Sequence, residues 1–255
     1  MEPSWLETYY TALEFVYWEP QHLGRKKNPD AEFDSLEKVS KRLRKLEVTL
    51  NHNLDQFFRL APDSLRSQLF AHVFERRFSH RHYMHGRDVD REFELVYAMQ
   101  PDFLFESSEA VVSIEMKIDA KSTVSQVLKY ALLGLAVEMK RQSPRTHCLL
   151  MLGRGTFDSL WKERFSDLGK LRDAIASTDL QAFLQRQPLR FRSHLAHFTR
   201  IVRELQISWT TYGHVADFLE RAIPSADDTT PGSEVYRKLI LGMVNELSNR
   251  QLRAQ

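Results

Sequence analysis

The chain of 255 residues contains one cysteine, Cys148, so it can form no intramolecular disulfide and no cysteine-rich zinc motif. Glycine and proline are scarce, at nine residues each, which argues against a loop-rich or repetitive architecture. No internal repeat is found. No apolar run approaches the roughly 20 residues that a membrane span requires. The start, Met1-Glu2-Pro3-Ser4-Trp5, lacks the basic and apolar regions of a signal peptide. Charge of one sign is also missing: 36 basic residues face 34 acidic ones, a net charge of +2. That sum decides nothing about nucleic acid, because a local patch outweighs it. There is no Gly-x-Ser-x-Gly elbow and no phosphate-binding loop, and Gly153-Arg154-Gly155 is too short for a nucleotide fingerprint. These absences lead us to expect a cytoplasmic protein with no membrane partner.

What is present suffices for a large core. Hydrophobic residues make up 42% of the chain, with 16 Phe, 8 Tyr and 4 Trp. Trp5, Leu6, Tyr9, Leu13, Phe15 and Val16 recur at roughly helical spacing, for core packing or as a dimer or partner surface. Residues 34–60 read as a long charged helix around Leu36, Val39, Leu43, Leu46 and Leu50, and Pro62-Asp63 opens another. The period then changes. Phe93, Leu95 and Tyr97 alternate with Glu92, Glu94 and Val96, which predicts a strand. Two more strands are expected at 102–106 and 111–118, a helix over 122–142, and a buried strand at 148–152. The remainder reads as helical, with a linker-like 224–233 before a last helix. The fold class expected is α/β, with a helical extension at 1–61, a core at 62–153 and a helical region at 154–255.

The chemistry concentrates between Gln100 and Ile118. Side chains alternate along a strand, so Phe103, Phe105, Val112, Ile114, Met116 and Ile118 fall on one face. That face is expected to be the core side. Asp102, Leu104, Glu106, Val111, Ser113, Glu115 and Lys117 fall on the other. Facing Phe103 with Ile114 makes paired positions sum to 217, centres the turn on Ser108-Glu109, and sets Asp102 opposite Glu115. Opposed Cβ atoms lie roughly 4.5–5.5 Å apart, so two carboxylates and a lysine share one patch. Such carboxylates repel unless a cation lies between them. Oxygen ligands suit Mg²⁺ or Mn²⁺, and a lysine beside them can orient a water or stabilise phosphate charge.

Pro101-Asp102 followed by Glu115-Met116-Lys117 resembles the motif of the PD-(D/E)XK nuclease superfamily. Gln126 and Tyr130, four residues apart on the next helix, resemble the Q-x-x-x-Y signature of its exonuclease-like branch. The resemblance covers about residues 62–153 and implies a restriction-endonuclease-like αβββαβ core with a mixed sheet. It further implies an Mg²⁺- or Mn²⁺-dependent deoxyribonuclease. Asp102, Glu115 and the carbonyl of Met116 would bind metal, Lys117 would organise the nucleophile, and Gln126 and Tyr130 would support the site. The family often adds an acidic residue from the first core helix, and Glu75 is the candidate here. The expected partner is DNA, with RNA admitted by the same chemistry. A homodimer or a partner protein in a larger assembly stays open, and the alternative function is a catalytically silent module of this fold that binds DNA or a protein.

The densest basic segment runs from Arg76 to Arg87, and Arg76, Arg77, Arg81 and Arg87 are candidate phosphate contacts. His80, His82 and His85 lie within it, but no cysteine or second cluster completes a zinc site. A second basic stretch, with Arg190, Arg192, Arg200 and Arg203, reads as the solvated face of a helix whose core stripe is Phe191, Leu195, Phe198 and Ile201.

Overall fold

The structure is a computed structural model that describes residues 5–6, 47–75, 82–95, 101–225, 227–228 and 230–253. It divides into two compact units, one of residues 62–212 and one formed by residues 1–61 together with 213–255.

The first unit holds a five-stranded sheet whose spatial order follows the chain: β1 (His82–His85), β2 (Phe103–Glu106), β3 (Ala110–Met116), β4 (Thr146–Gly153) and β5 (Gln206–Thr211). The first three strands are antiparallel, whereas β3, β4 and β5 run parallel, so the sheet is mixed. Helices α2 (Asp63–Phe74), α3 (Gly86–Phe93), α4 (Val124–Arg141), α5 (Leu168–Ala176), α6 (Leu180–Gln185), α7 (Leu189–Arg192) and α8 (Leu195–Glu204) accompany it. The other unit contains α1 (Glu47–Leu60) and α10 (Pro231–Asn249), with α9 (Tyr212–Arg221) entering it from the sheet. The chain is thus α/β, with ten α-helices among the described residues.

The hairpin register follows from its side chains. Phe103 pairs with Ile114, Leu104 with Ser113 and Phe105 with Val112, the alignment that the hydrophobic alternation requires. Ser107 makes the turn: its hydroxyl accepts the N–H groups of Glu109 at 3.2 Å and Ala110 at 3.0 Å. The expectation of a single core face needs correction, since every residue of β2 and β3 is buried. Phe105 meets Phe70 of α2, while Leu104, Val111, Met151 and Ile207 join a cluster with α4 and α8. Helices therefore cover both faces, as the parallel strands β3, β4 and β5 demand.

Two strand assignments also change. Phe93 ends a helix rather than opening a strand: Val89 and Phe93, both buried, lie four apart on one helical face. Glu94 then stops the helix in the left-handed region at φ 53°, its N–H donating to the Asp90 carbonyl. The strand at this point of the chain is β1, and Tyr97 lies outside the described residues. Within the stretch read as helical after residue 153, Gln206–Thr211 forms β5 and extends the sheet. Its alternation of Ile207, Trp209 and Thr211 was a strand signal. The stripe expected on one helix at 191–201 is divided between α7 and α8, with Phe191, Phe198 and Ile201 wholly buried and Leu195 partly so. No helix among the described residues is long and apolar enough to cross a membrane.

Candidate active site

Strand β3 and the first turns of α4 bring the proposed residues together. Thr123 caps α4, its hydroxyl accepting the Gln126 N–H at 3.3 Å. That start presents Gln126 and Tyr130, four residues apart, to the end of β3. Glu115, only 4% exposed, receives both: the Gln126 amide donates to Oε1 and the Tyr130 hydroxyl to Oε2. Lys117 Nζ approaches Glu115 Oε1 at 2.5 Å. A buried carboxylate requires such company, because leaving its charge unmet would cost several kcal/mol. Burial, then the charges of Glu115 and Asp102, push the Tyr130 phenol well above its usual range, so it stays a proton donor.

Asp102 stands just before β2, at the same edge of the sheet. Its Oδ2 accepts the Met116 N–H at 2.7 Å, and its carbonyl accepts the Gly86 N–H at 3.2 Å. The Met116 backbone is therefore tied to the Asp102 carboxylate, while its side chain is wholly buried. Lys117 N–H donates to the Leu152 carbonyl at 2.8 Å, tying the strand end to β4.

The other sequence-predicted residues fall elsewhere or beyond view. Glu75 is exposed, in the left-handed region at φ 54° at the end of α2, the helix that covers the opposite face of the sheet. Arg76, Arg77 and Arg81 lie outside the described residues, as does the Arg87 side chain. The Arg87 backbone belongs to the first turn of α3, which starts beside Asp102.

The donor set suits a hard divalent cation. Both carboxylates and the Met116 carbonyl offer oxygen only. Among the described residues no group of three or more His, Cys, Asp or Glu is gathered to hold a metal by itself. An ion here would take its remaining positions from water and substrate phosphate, as Mg²⁺ commonly does.

A second polar cluster, missed in the sequence, lies at the other end of α4. Glu138, buried, accepts from His147 Nε2 at 2.8 Å, His197 Nε2 at 2.6 Å, the Arg145 N–H at 2.9 Å and the Arg200 guanidinium. Arg200 thus anchors a buried charge instead of lying on a solvated face. Glu106, also buried, is held at this end by Arg141 at 2.7 and 2.9 Å and by Arg145 at 2.9 Å. The partners of Glu138 lie up to 62 residues away, so no local spacing announces them.

Comparison with family models, with curated proteins and with solved structures finds no match for this chain.

Proposed function

We propose that the chain is a metal-dependent nuclease that hydrolyses DNA phosphodiester bonds, on a core of the restriction-endonuclease-like kind. The observation that carries this reading is the buried Glu115 carboxylate, gripped by Lys117, Gln126 and Tyr130 with Asp102 at the same strand end. A purely structural Glu115–Lys117 pair would not need a second carboxylate, Asp102, at the same strand end.

Asp102, Glu115 and the Met116 carbonyl would hold Mg²⁺ or Mn²⁺. When bound, the ion supplies positive charge against the phosphate and acidifies a water. The protein's own part is positioning. The Met116 N–H fixes one oxygen of Asp102, so the carboxylate enters the site with one orientation. Gln126 and Tyr130 hold the Glu115 carboxylate from the helix side. Lys117, its side chain 12% exposed, reaches the site from the strand end, where its ammonium can orient the attacking water and offset phosphate charge.

The test is cleavage of supercoiled and linear DNA with Mg²⁺ or Mn²⁺, beside EDTA and a Lys117→Ala control. Cleavage should require the metal and fall at least about a hundredfold in the variant, with circular dichroism unchanged. A variant that cuts at the wild-type rate overturns the role of Lys117. Binding of DNA or RNA with no cleavage in either metal would instead point to a silent binding module.

A further inference from the structure

Two loops meet at the sheet edge that carries Asp102 and Lys117, and backbone hydrogen bonds join them. One runs from Lys117 to Thr123, between β3 and α4; the other leaves β4 at Arg154 and runs to Arg164. Ser122 N–H donates to the Leu160 carbonyl at 2.7 Å, and Lys162 N–H to the Ser122 carbonyl at 2.9 Å. These bonds make an isolated parallel bridge between Ser122 and Trp161. The second loop is also packed from below. Trp161 is wholly buried between Phe157 and Phe165, with ring centroids 5.8 and 5.7 Å away. At Gly153 a Cβ would stand 1.9 Å from Leu160 Cδ2, so the loop presses directly onto the strand end. Together the loops form a wall, joined by this one bridge.

The outward side of that wall carries two lysines. Ser122 and Trp161 both point inward, so by alternation Lys121 and Lys162 point outward, and both are exposed. Arg154, the first residue after β4, is half-buried, with its Nε enclosed and unpartnered. The acidic residues here are Asp119, Asp158 and Glu163. Asp158 is occupied locally: the Thr156 hydroxyl first, and Arg164 in smaller part, hold its carboxyl below the usual range.

We propose that these bridged loops bind the nucleic-acid backbone beside the scissile bond, with Lys121, Arg154 and Lys162 each neutralising a phosphate. The inference rests on the nuclease reading, and it adds a surface that the basic run at 76–87 does not include. Because the loop backbone is already bridged, binding has only side chains left to order, and three phosphate contacts set strand position without reading sequence.

The test measures binding of labelled duplex and single-stranded oligonucleotides, in EDTA, across a salt series. Each phosphate contact contributes about 0.9 to the slope of log K against log salt for duplex DNA and about 0.7 for a single strand. Lys121→Gln, Arg154→Gln and Lys162→Gln should each flatten the slope by one such step for the oligonucleotide used. KM should rise in each while kcat is kept at saturation. Lys121→Arg and Lys162→Arg should restore the slope. Lys140→Gln, about 24 Å along α4 from its start at 1.5 Å per residue, should not change it. Unchanged slopes in variants of an enzyme that cuts would overturn the wall and leave the nuclease reading intact. A lowered kcat with an unchanged slope would also overturn it, as loop damage. Slope steps without cleavage would support the wall and remove the nuclease. No salt-dependent binding in the wild type would sink both.

Discussion

A carboxylate as deeply enclosed as Glu138 needs its charge met on every side. Burial alone would raise its pKa; the hydrogen bonds of His147, His197 and the Arg145 N–H outweigh that and hold it at about 2. Because the folded value is depressed, the stability that Glu138 contributes is present above its ordinary value of 4.5 and is lost as pH falls towards 2. Urea melts across this range should show a steep loss in the wild type and a flatter one in Glu138→Gln. At neutral pH Glu138→Ala should cost about 3 kcal/mol, since it leaves Arg200 and two imidazoles facing an empty acceptor. An equal acid profile in wild type and variant would remove the role. Glu115 was readable in the sequence because its company is local: Lys117, Gln126 and Tyr130 all fall within 15 residues. Glu138 was not, because its partners come from β4 and α8.

Helix α4 makes these two clusters the ends of one rod, and its middle is fitted to the sheet by a missing side chain. A Cβ at Gly134 would stand 2.9 Å from His147 Nδ1, and that nitrogen is buried without a partner. Glu138 accepts from Nε2, so the ring holds its proton there and leaves Nδ1 bare against the glycine. In an exposed helix Gly→Ala gains about 1 kcal/mol. Here Gly134→Ala should destabilise the protein by about 1–3 kcal/mol through overpacking, seen as a lower Tm. A rise in Tm would show that the ring can move aside. Among the elements, the hairpin was the most legible because a slip of one residue would exchange its two faces. Strand β1 escaped because His82-Tyr83-Met84-His85 offers only four residues and no apolar alternation. Strand β5 carried the alternation, but the helices on either side of it obscured the change of period. The covering of both sheet faces was hidden for a related reason. Leu104 and Val111 sit among Glu106, Ser113 and Glu115, so that face read as polar although α4 packs on it.

The whole molecule consists of one unit continuous in sequence and one assembled from both chain regions flanking it. In the discontinuous unit, Asn53 of α1 donates to Glu246 of α10 at 3.1 Å, and Arg250 reaches Thr49 at 3.0 Å. Trp5 Nε1 donates to the Leu239 carbonyl at 3.3 Å, lying where a side chain at Gly242 would collide with it. Truncation after Ser225 should strip amide protection from α1, where Leu50 and Leu54 lose their cover, while β3 and β4 keep theirs in hydrogen exchange. Equal loss in both would show that the units unfold as one.

The order in which such a molecule can be completed differs from the order in which it is made. On the ribosome α1 emerges before the sheet unit, and α10, which supplies Glu246 to Asn53 of α1, follows only after the entire sheet unit has been synthesised. The sheet can close from contiguous chain while α1 waits. The contacts between α1 and α10 are therefore among the last that the chain can make.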